Sequence, residues 1–388
     1  MTEPTDAPEP WELSRRQLLR AGLALPALAL PLACQGASRP SAAHPHGPST
    51  VTTPDTAFVG LRGSRGSGQT VRFAFAGDCH FADSLDTEAG AISSGVPLAT
   101  QLRNDPTNLL APIKPIFAGA DLTMVNLETA ITERGEPVAG KNFHFRSPAE
   151  SFAALRAAGV DVINMANNHA LDYGPVGMDD TFAAIAASKL PVVGIGHNAT
   201  EAYRPYRTVI RGQRIAVFGA LDWLEPGLVT QWSATDTQPG LAFSIDRTRL
   251  VAAVAEVRPQ VDTLVTFLHW GIETTHCASP EQETLAHALL GAGADIVVGS
   301  HAHRVFGAGR IGKSLVAYGL GNFIYWREDG ESGRSGILLV DVTGREVDSY
   351  SWVPARITKG IPVPQTGTAA ADDLAVWQQR RSCSGLPA

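Results

Sequence analysis

The sequence predicts an α/β protein whose chemistry sits at the ends of its strands. Apolar, β-favouring runs alternate along the chain with helical segments, and the runs stop at clusters of Asp, Glu, Asn and His. The plainest case is Val71-Arg72-Phe73-Ala74-Phe75-Ala76-Gly77-Asp78-Cys79-His80-Phe81, a buried-strand pattern that ends at a glycine and then supplies a carboxylate and an imidazole. Loops beyond the carboxyl ends of such strands are free to vary, which is why binding and catalytic groups gather there. An Asp oxygen and a His nitrogen two residues apart can close on one divalent cation.

Bulk properties narrow the class further. A chain of 388 residues, 44% hydrophobic and 18% charged, can bury the core of one large domain or two ordinary ones. Its net charge of -7 argues against broad binding to nucleic acid or to an anionic membrane, both of which need a basic face. An anionic substrate must therefore be attracted locally, by a metal or by a few Arg and Lys side chains. With 4 Cys in the whole chain, a disulfide framework is not what stabilises the fold.

The first 34 residues read as an address rather than as fold. Ser14-Arg15-Arg16-Gln17-Leu18-Leu19-Arg20 resembles a twin-arginine export signal. The apolar run Ala21 to Ala33, broken by Pro26 and Pro31, is shorter than the roughly 20 residues of a spanning helix and has the length of a signal-peptide core. Leu30-Pro31-Leu32-Ala33-Cys34 resembles a bacterial lipoprotein cleavage site, with Ala33 fitting and Pro31 departing from it, so Cys34 is a candidate lipidation site. The expectation is an exported protein, secreted or on the outer face of the cell membrane, touching lipid only through that anchor. Residues 35–70, rich in Ser, Pro, Gly and Ala, read as a tether because they cannot offset the entropy of ordering.

The folded region follows in order. After the opening strand, Ala82 to Gln101 reads as a loop with a short helix, and Asn108 to Ala118 as a helix. Asp121 to Glu128 is a second buried strand whose tip carries Asn126 and Glu128; beside other metal ligands, a buried Glu128 would be a bridging ligand. Lys141-Asn142-Phe143-His144-Phe145-Arg146 is either an anion clamp or an exposed hairpin, since Arg grips phosphate or carboxylate through two bonds. Ser147 caps a helix from Ala149 to Gly159, with Pro148 at its first position.

The third strand, Val160 to Ala166, ends in Asn167-Asn168-His169-Ala170-Leu171-Asp172-Tyr173-Gly174. Packing does not explain two amides, an imidazole and a carboxylate in six residues. Asn oxygen is an acceptable ligand for a hard metal, and the adjacent His can shuttle a proton. A helix from Met178 to Ser188, a hairpin around Gly212, an irregular stretch with two tryptophans and a helix from Asp246 to Val257 come next. Strand Thr263 to Leu268 ends in His269-Trp270-Gly271-Ile272-Glu273, and a helix from Pro280 to Ala292 leads into Asp295-Ile296-Val297-Val298-Gly299-Ser300-His301-Ala302-His303-Arg304. That His-x-His is the sharpest local signal in the chain. Another strand, Leu315 to Leu320, turns at Gly321-Asn322-Phe323; two closing strands precede a tail, 359–388, read as mostly irregular apart from a helix near Asp372 to Arg380. Cys79 and Cys277 both lie near strand tips, either bonded to one another after export or apart as small buried residues.

Five strand tips thus carry ligand-type residues: Asp78/His80, Glu128, Asn168/His169, His269 and His301/His303. That exceeds what one metal needs and favours two divalent ions sharing Glu128.

These motifs, in this order over Val71 to Tyr325, resemble the CapA family of poly-γ-glutamate synthesis accessory proteins. The segments that carry the resemblance are Ala76-Gly77-Asp78, Val125-Asn126-Leu127-Glu128, Phe145-Arg146-Ser147-Pro148, Ala166 to Gly174, His269 to Glu273, Gly299 to His303 and Gly321-Asn322-Phe323. The family is similar to the calcineurin-like metallophosphoesterases, which implies a four-layer α/β/β/α sandwich of two mixed sheets flanked by helices, here over 71–358. By that resemblance Asp78, His80 and His303 hold one metal, Asn168, His269 and His301 the other, and Glu128 lies between them. The ions are Mn, Fe, Zn or Mg. His169 is the proton donor, oriented by Asp172. Arg146, Asn167, Glu273, Arg304 and Asn322 are candidate substrate-binding residues. The phosphoesterase pattern has Asp where this chain has Glu128. His80, absent from many CapA relatives, makes this member look more competent for metal. The implied substrate is a cell-envelope anionic polymer or a phosphoester, handled with membrane polymer-synthesis proteins.

Overall fold

The computed structural model describes residues 68–87, 90–244 and 247–387, all within one compact unit, Val51–Ala388. The export signal, Cys34 and nearly all of the tether lie outside the described residues.

Two mixed sheets face each other. In the first, of eight strands, Val71–Cys79 is central; Leu122–Leu127, Val162–Asn164 and Val192–Val193 follow in parallel on one side. On its other side Arg334–Thr343, Glu346–Thr358 and Ile361–Pro364 run antiparallel, and Asn322–Ile324 pairs with the tip of the central strand. The second sheet, of six strands, has Gln213–Leu221, Thr263–Trp270, Ile296–His301 and Ser314–Ala317 in parallel, with antiparallel edges.

The layers follow from side-chain alternation, since successive strand residues point to opposite faces. Phe73 and Phe75 join Met124, Val265, Phe267 and Val298 in the core between the sheets. Ala74, Ala76 and Val125 point the other way, onto Phe117, Phe152 and Leu155 of the helical layer. In the second sheet Leu264 and Leu268 turn outward to Leu250, Val254, Leu285 and Leu289 of the helices Arg247–Val257 and Pro280–Ala292. Strands covered on both faces read as unbroken apolar runs, which is how the sequence shows them. The expected α/β/β/α sandwich is what the chain forms.

Local signals decide the helix ends. Ser279 accepts from the Gln282 N–H while the Gln282 side chain accepts from the Ser279 N–H, and Pro280 starts the helix that Gly293 ends at φ 112°. The expected Ser147 cap is not formed. Helix Glu150–Ala158 has no side-chain cap, because Ser147 Oγ accepts from the Phe81 N–H (2.9 Å) and donates to Thr129 (3.1 Å), tying two loops together.

The segment read as an irregular tail is ordered. Strand Ile361–Pro364 and helix Gly367–Cys383 pack onto the first sheet through Trp377 stacked on Trp352 at 5.9 Å and through Asp373, paired with Arg334 and Arg356. Cys383 bonds to Cys277, so Cys277 has a partner that the sequence reading did not weigh, and Cys79 is free and buried.

Candidate metal centre

Parallel register brings the tips together. Asp78 lies opposite Asn126 and Asn126 opposite Asn164, while in the other sheet His269 lies opposite Ser300 and Trp270 opposite His301. Gly77 lets the central strand close on the Gly321 turn. A Cβ there would stand 1.8 Å from the Gly321 carbonyl oxygen, which accepts from the Asp78 N–H at 3.0 Å.

Two donor groups result, Glu128 with His269 and His301, and Asp78 with Glu128 and His303, each with its ligand atoms within 4.8 Å of one another. In the first, His269 Nε2 stands 3.2 Å from Glu128 Oε1, 2.7 Å from Asn168 Oδ1 and 3.1 Å from His301 Nδ1. In the second, His303 Nδ1 is 3.5 Å from Asp78 Oδ2, and His303 Nε2 is 4.0 Å from Glu128 Oε1. Both oxygens of Glu128 and His301 Nε2 are buried without a hydrogen-bond partner. Orphaned acceptors at the meeting point of so many lone pairs are what a cation satisfies, so the residues present fit divalent metals.

The backbone at His301 and His303 adopts φ of 100° and 54°, the left-handed region that non-glycine residues rarely occupy. The strain aims the rings, and the Asp78 carboxylate anchors it by accepting the His301 N–H at 3.1 Å. Trp223, from the irregular stretch, stacks on the His301 ring at 4.8 Å.

Electrostatics match this arrangement. Burial and the neighbouring Asp78 charge push Glu128 well above the usual carboxylate range. Burial drives His269 down to about 3 and His301 well below its ordinary value, leaving neutral imidazoles with lone pairs to offer. At His303 burial acts downward, but Glu128 and Asp78 outweigh it and raise the ring to about 9. A bound cation would reverse that logic by taking the place of the proton.

The remaining expected site residues fall in distinct places. His169 Nδ1 lies 2.5 Å from Asp172 Oδ2, and its ring stacks on Phe145 at 3.9 Å. His80 stands outside both donor groups. Its ring packs between Phe145 and Tyr325, its Nδ1 accepts from the Ala82 N–H (3.2 Å), and its Nε2 is buried without a partner. Asn167 is buried and engaged within the protein, donating to the Leu127 carbonyl (2.8 Å) and accepting the His169 N–H (3.1 Å). Asn322 accepts from His303 Nδ1 (2.8 Å) and donates to the Ser332 carbonyl (3.1 Å), so it orients a ligand.

Arg304 donates to Ser332 Oγ (2.6 Å) and the His303 carbonyl (3.1 Å), with its Nε buried and unpartnered. Glu273 is half-buried, and its charge acts on Glu128, His269 and His303. The anion clamp does not form: Arg146 faces Asp86 (3.3 Å) and the Tyr173 ring, His144 bonds the Asp86 and Val138 carbonyls, and Lys141 is buried against Asp172. Asn164, Trp223 and Tyr325 are parts of the surroundings that sequence reasoning missed, and Lys141, read there as part of an anion clamp or an exposed hairpin, is instead buried beside Asp172. Of the three missed, Asn164, a polar residue inside an apolar strand, carried a local signal.

The chain thus folds as a four-layer sandwich with carboxylate, amide and imidazole donors gathered at its strand tips. The chain belongs to the family of the bacterial capsule synthesis protein PGA_cap, whose model matches residues 72–326. It is 30% identical over 274 residues to the capsule biosynthesis protein CapA of Bacillus anthracis, covering 69% of this chain and 65% of that one. It is 29% identical over 255 residues to the PGA biosynthesis protein CapA of Bacillus subtilis (65% and 66%), so it spans just under two thirds of the length of these two relatives. A probable polyglutamine synthesis accessory protein of Mycobacterium tuberculosis is 28% identical over 286 residues, 70% of this chain and 74% of that one. Among solved structures, a hypothetical protein from Thermus thermophilus overlays in part, with TM-score 0.47 and 17% identity over 74% of this chain and 99% of that one.

Proposed function

We propose that this chain is an exported hydrolase of cell-envelope polymer assembly, acting at a dinuclear centre on a phosphoester or amide bond of an anionic polymer such as poly-γ-glutamate. The observation that carries the reading is Glu128, buried with both oxygens unpartnered between two groups of donors. Glu128, Asn168, His269 and His301 would hold one ion, and Asp78, Glu128 and His303 the other. Two such ions, when bound, would supply Lewis acidity toward the substrate and make a water more acidic. The chain's own groups do the rest. Asp172 holds His169 by Nδ1, which leaves Nε2 as the atom that would take the proton of the attacking water and give it to the departing group. Arg304 and Glu273 border the second group and set the charge that a substrate meets. Export is supported by the twin-arginine motif and by the Cys277–Cys383 bond, which persists in oxidising compartments. Among the described residues no helix is long and apolar enough to cross a membrane.

Elemental analysis of the purified protein, paired with a phosphodiester screen, tests the reading. We expect close to two equivalents of Mn, Fe, Zn or Mg, and turnover that His301→Ala abolishes; protein without stoichiometric metal sinks it. The word "accessory" in the name of the mycobacterial relative favours a second reading, a subunit that binds polymer without turnover beside membrane synthesis proteins. Polymer production that survives Asp78→Ala and His303→Ala would select it.

A further inference from the structure

We propose that Lys141 is a positioning residue of this centre, the cation that locks the Asp172 carboxylate under His169 and the Asn168 backbone beside it. Its consequence for turnover rests on the hydrolase reading; its geometric consequence does not. Lysines are almost never fully buried unless paired, yet the Lys141 side chain is 0% exposed. Its Nζ lies 3.0 Å from Asp172 Oδ1 and 3.5 Å from Glu225 Oε1, donates to the Asn168 carbonyl, and sits 4.9 Å over the Trp232 ring.

The ammonium therefore joins three segments. Its contact with Asp172 is made through the oxygen that His169 does not use. The other oxygen, Oδ2, lies 2.5 Å from His169 Nδ1 and accepts the Phe145 N–H at 2.6 Å. Oδ1 has no hydrogen-bond partner and meets only the Lys141 charge, so the ion pair on one oxygen and the two bonds on the other together favour one orientation of the carboxylate and of the imidazole it carries. The bond to the Asn168 carbonyl fixes the backbone whose side-chain Oδ1 faces His269 at 2.7 Å. Glu225 and Trp232, from the stretch beyond Leu221, enclose Lys141 from the other side. A lysine that merely offset two acids would lower stability when removed but leave the His169–Asp172 bond unchanged. A positioning lysine alters that bond.

Proton NMR of the full chain makes the distinction without substrate. A His169 Nδ1–H held at 2.5 Å gives a resonance far downfield, assigned by its absence in His169→Ala. We expect Lys141→Met to move it upfield or abolish it. We also expect kcat to fall about 10–100-fold with KM little changed, the usual cost of losing an orienting partner. In an Asp172→Asn background the same change should cost less than in the wild type, because of its contacts with the centre only the bond to the Asn168 carbonyl is then left for it to remove. If Lys141→Met does not fold, Lys141→Gln combined with Glu225→Gln removes one charge of each sign and is read in the same way. A resonance unmoved in either folded variant overturns the proposal, as does a wild-type spectrum without it. Should the wild-type protein turn over no substrate, the hydrolase reading fails alone and the resonance still decides the role of Lys141.

Discussion

The two donor groups share Glu128 and differ in how they are held. In the first, His269 lies within a central strand and His301 on the last residue of its neighbour, while Asn168 follows closely on the third strand of the other sheet. Hydrogen-bonded strands fix His269 and carry His301, whose backbone the Asp78 carboxylate anchors, and His269 and Glu128 are wholly buried. In the second, His303 lies beyond the strand end in a strained turn, and its side chain is 16% exposed. It is braced from outside the sheets. Asn322 holds its Nδ1 and is itself held by Ser332, which also binds Arg304, while Arg380 of the last helix donates to the Val305 carbonyl at 2.8 Å. Donors on strands need little support, whereas donors on turns need further hydrogen bonds behind them. On the dinuclear reading proposed above, the first group should hold its ion more firmly than the second.

The change that tests both at once is at the shared ligand. Glu128→Gln removes the charge common to the two groups, and elemental analysis should find neither ion retained after dialysis. Activity should fall by more than the roughly 10–100-fold that loss of an orienting partner costs. Retention of two ions would mean that the groups do not share Glu128. The next test separates them. His269→Ala should lose the first ion irrecoverably, because its Nε2 faces Glu128, Asn168 and His301 together. His303→Ala should lose one equivalent and regain it, with partial activity, in excess Mn. Equal behaviour of the two variants would erase the distinction.

That division bears on what the sequence could show. Strand-held donors were legible because a strand leaves a signature, an apolar run that stops at a polar residue, as at Asp78, Glu128, His269 and His301. Once the strands were placed, parallel register did the rest. The braces were not legible, because each is a contact between segments far apart in the chain with no period to betray it. Asn322 reads as a substrate-binding turn residue until its oxygen is seen on His303, and Lys141 reads as part of an anion clamp or an exposed hairpin until its ammonium is seen against Asp172. The last helix was mostly missed for a related reason. It is Ala-rich and polar, with no clear apolar stripe, and Trp377, the Asp373 ion pairs and one disulfide hold it in place.

If the second group depends on its braces, removing them should weaken one ion and spare the other. Asn322→Ala frees His303 Nδ1 and should weaken the second ion about 10-fold, at the low end for an orienting partner, with the first unchanged in a metal titration.

The smallest effect is expected furthest out. The Cys277–Cys383 bond closes a separation of 106 residues and ties the loop after Trp270 to the last helix, whose Arg380 bonds the turn just past His303. Cys383→Ser should therefore lower stability to denaturant by about 2–4 kcal/mol, the usual range for a native disulfide. Through the loosened helix it should weaken the second ion by less than Asn322→Ala does, because Asn322 and Ser332 still hold His303. The first ion, held by strands rather than by the turn that Arg380 bonds, should titrate as in the wild type. A Cys383→Ser protein that lost both ions together would show that the last helix supports the whole centre, and the contrast between strand-held and turn-held donors would fall with it.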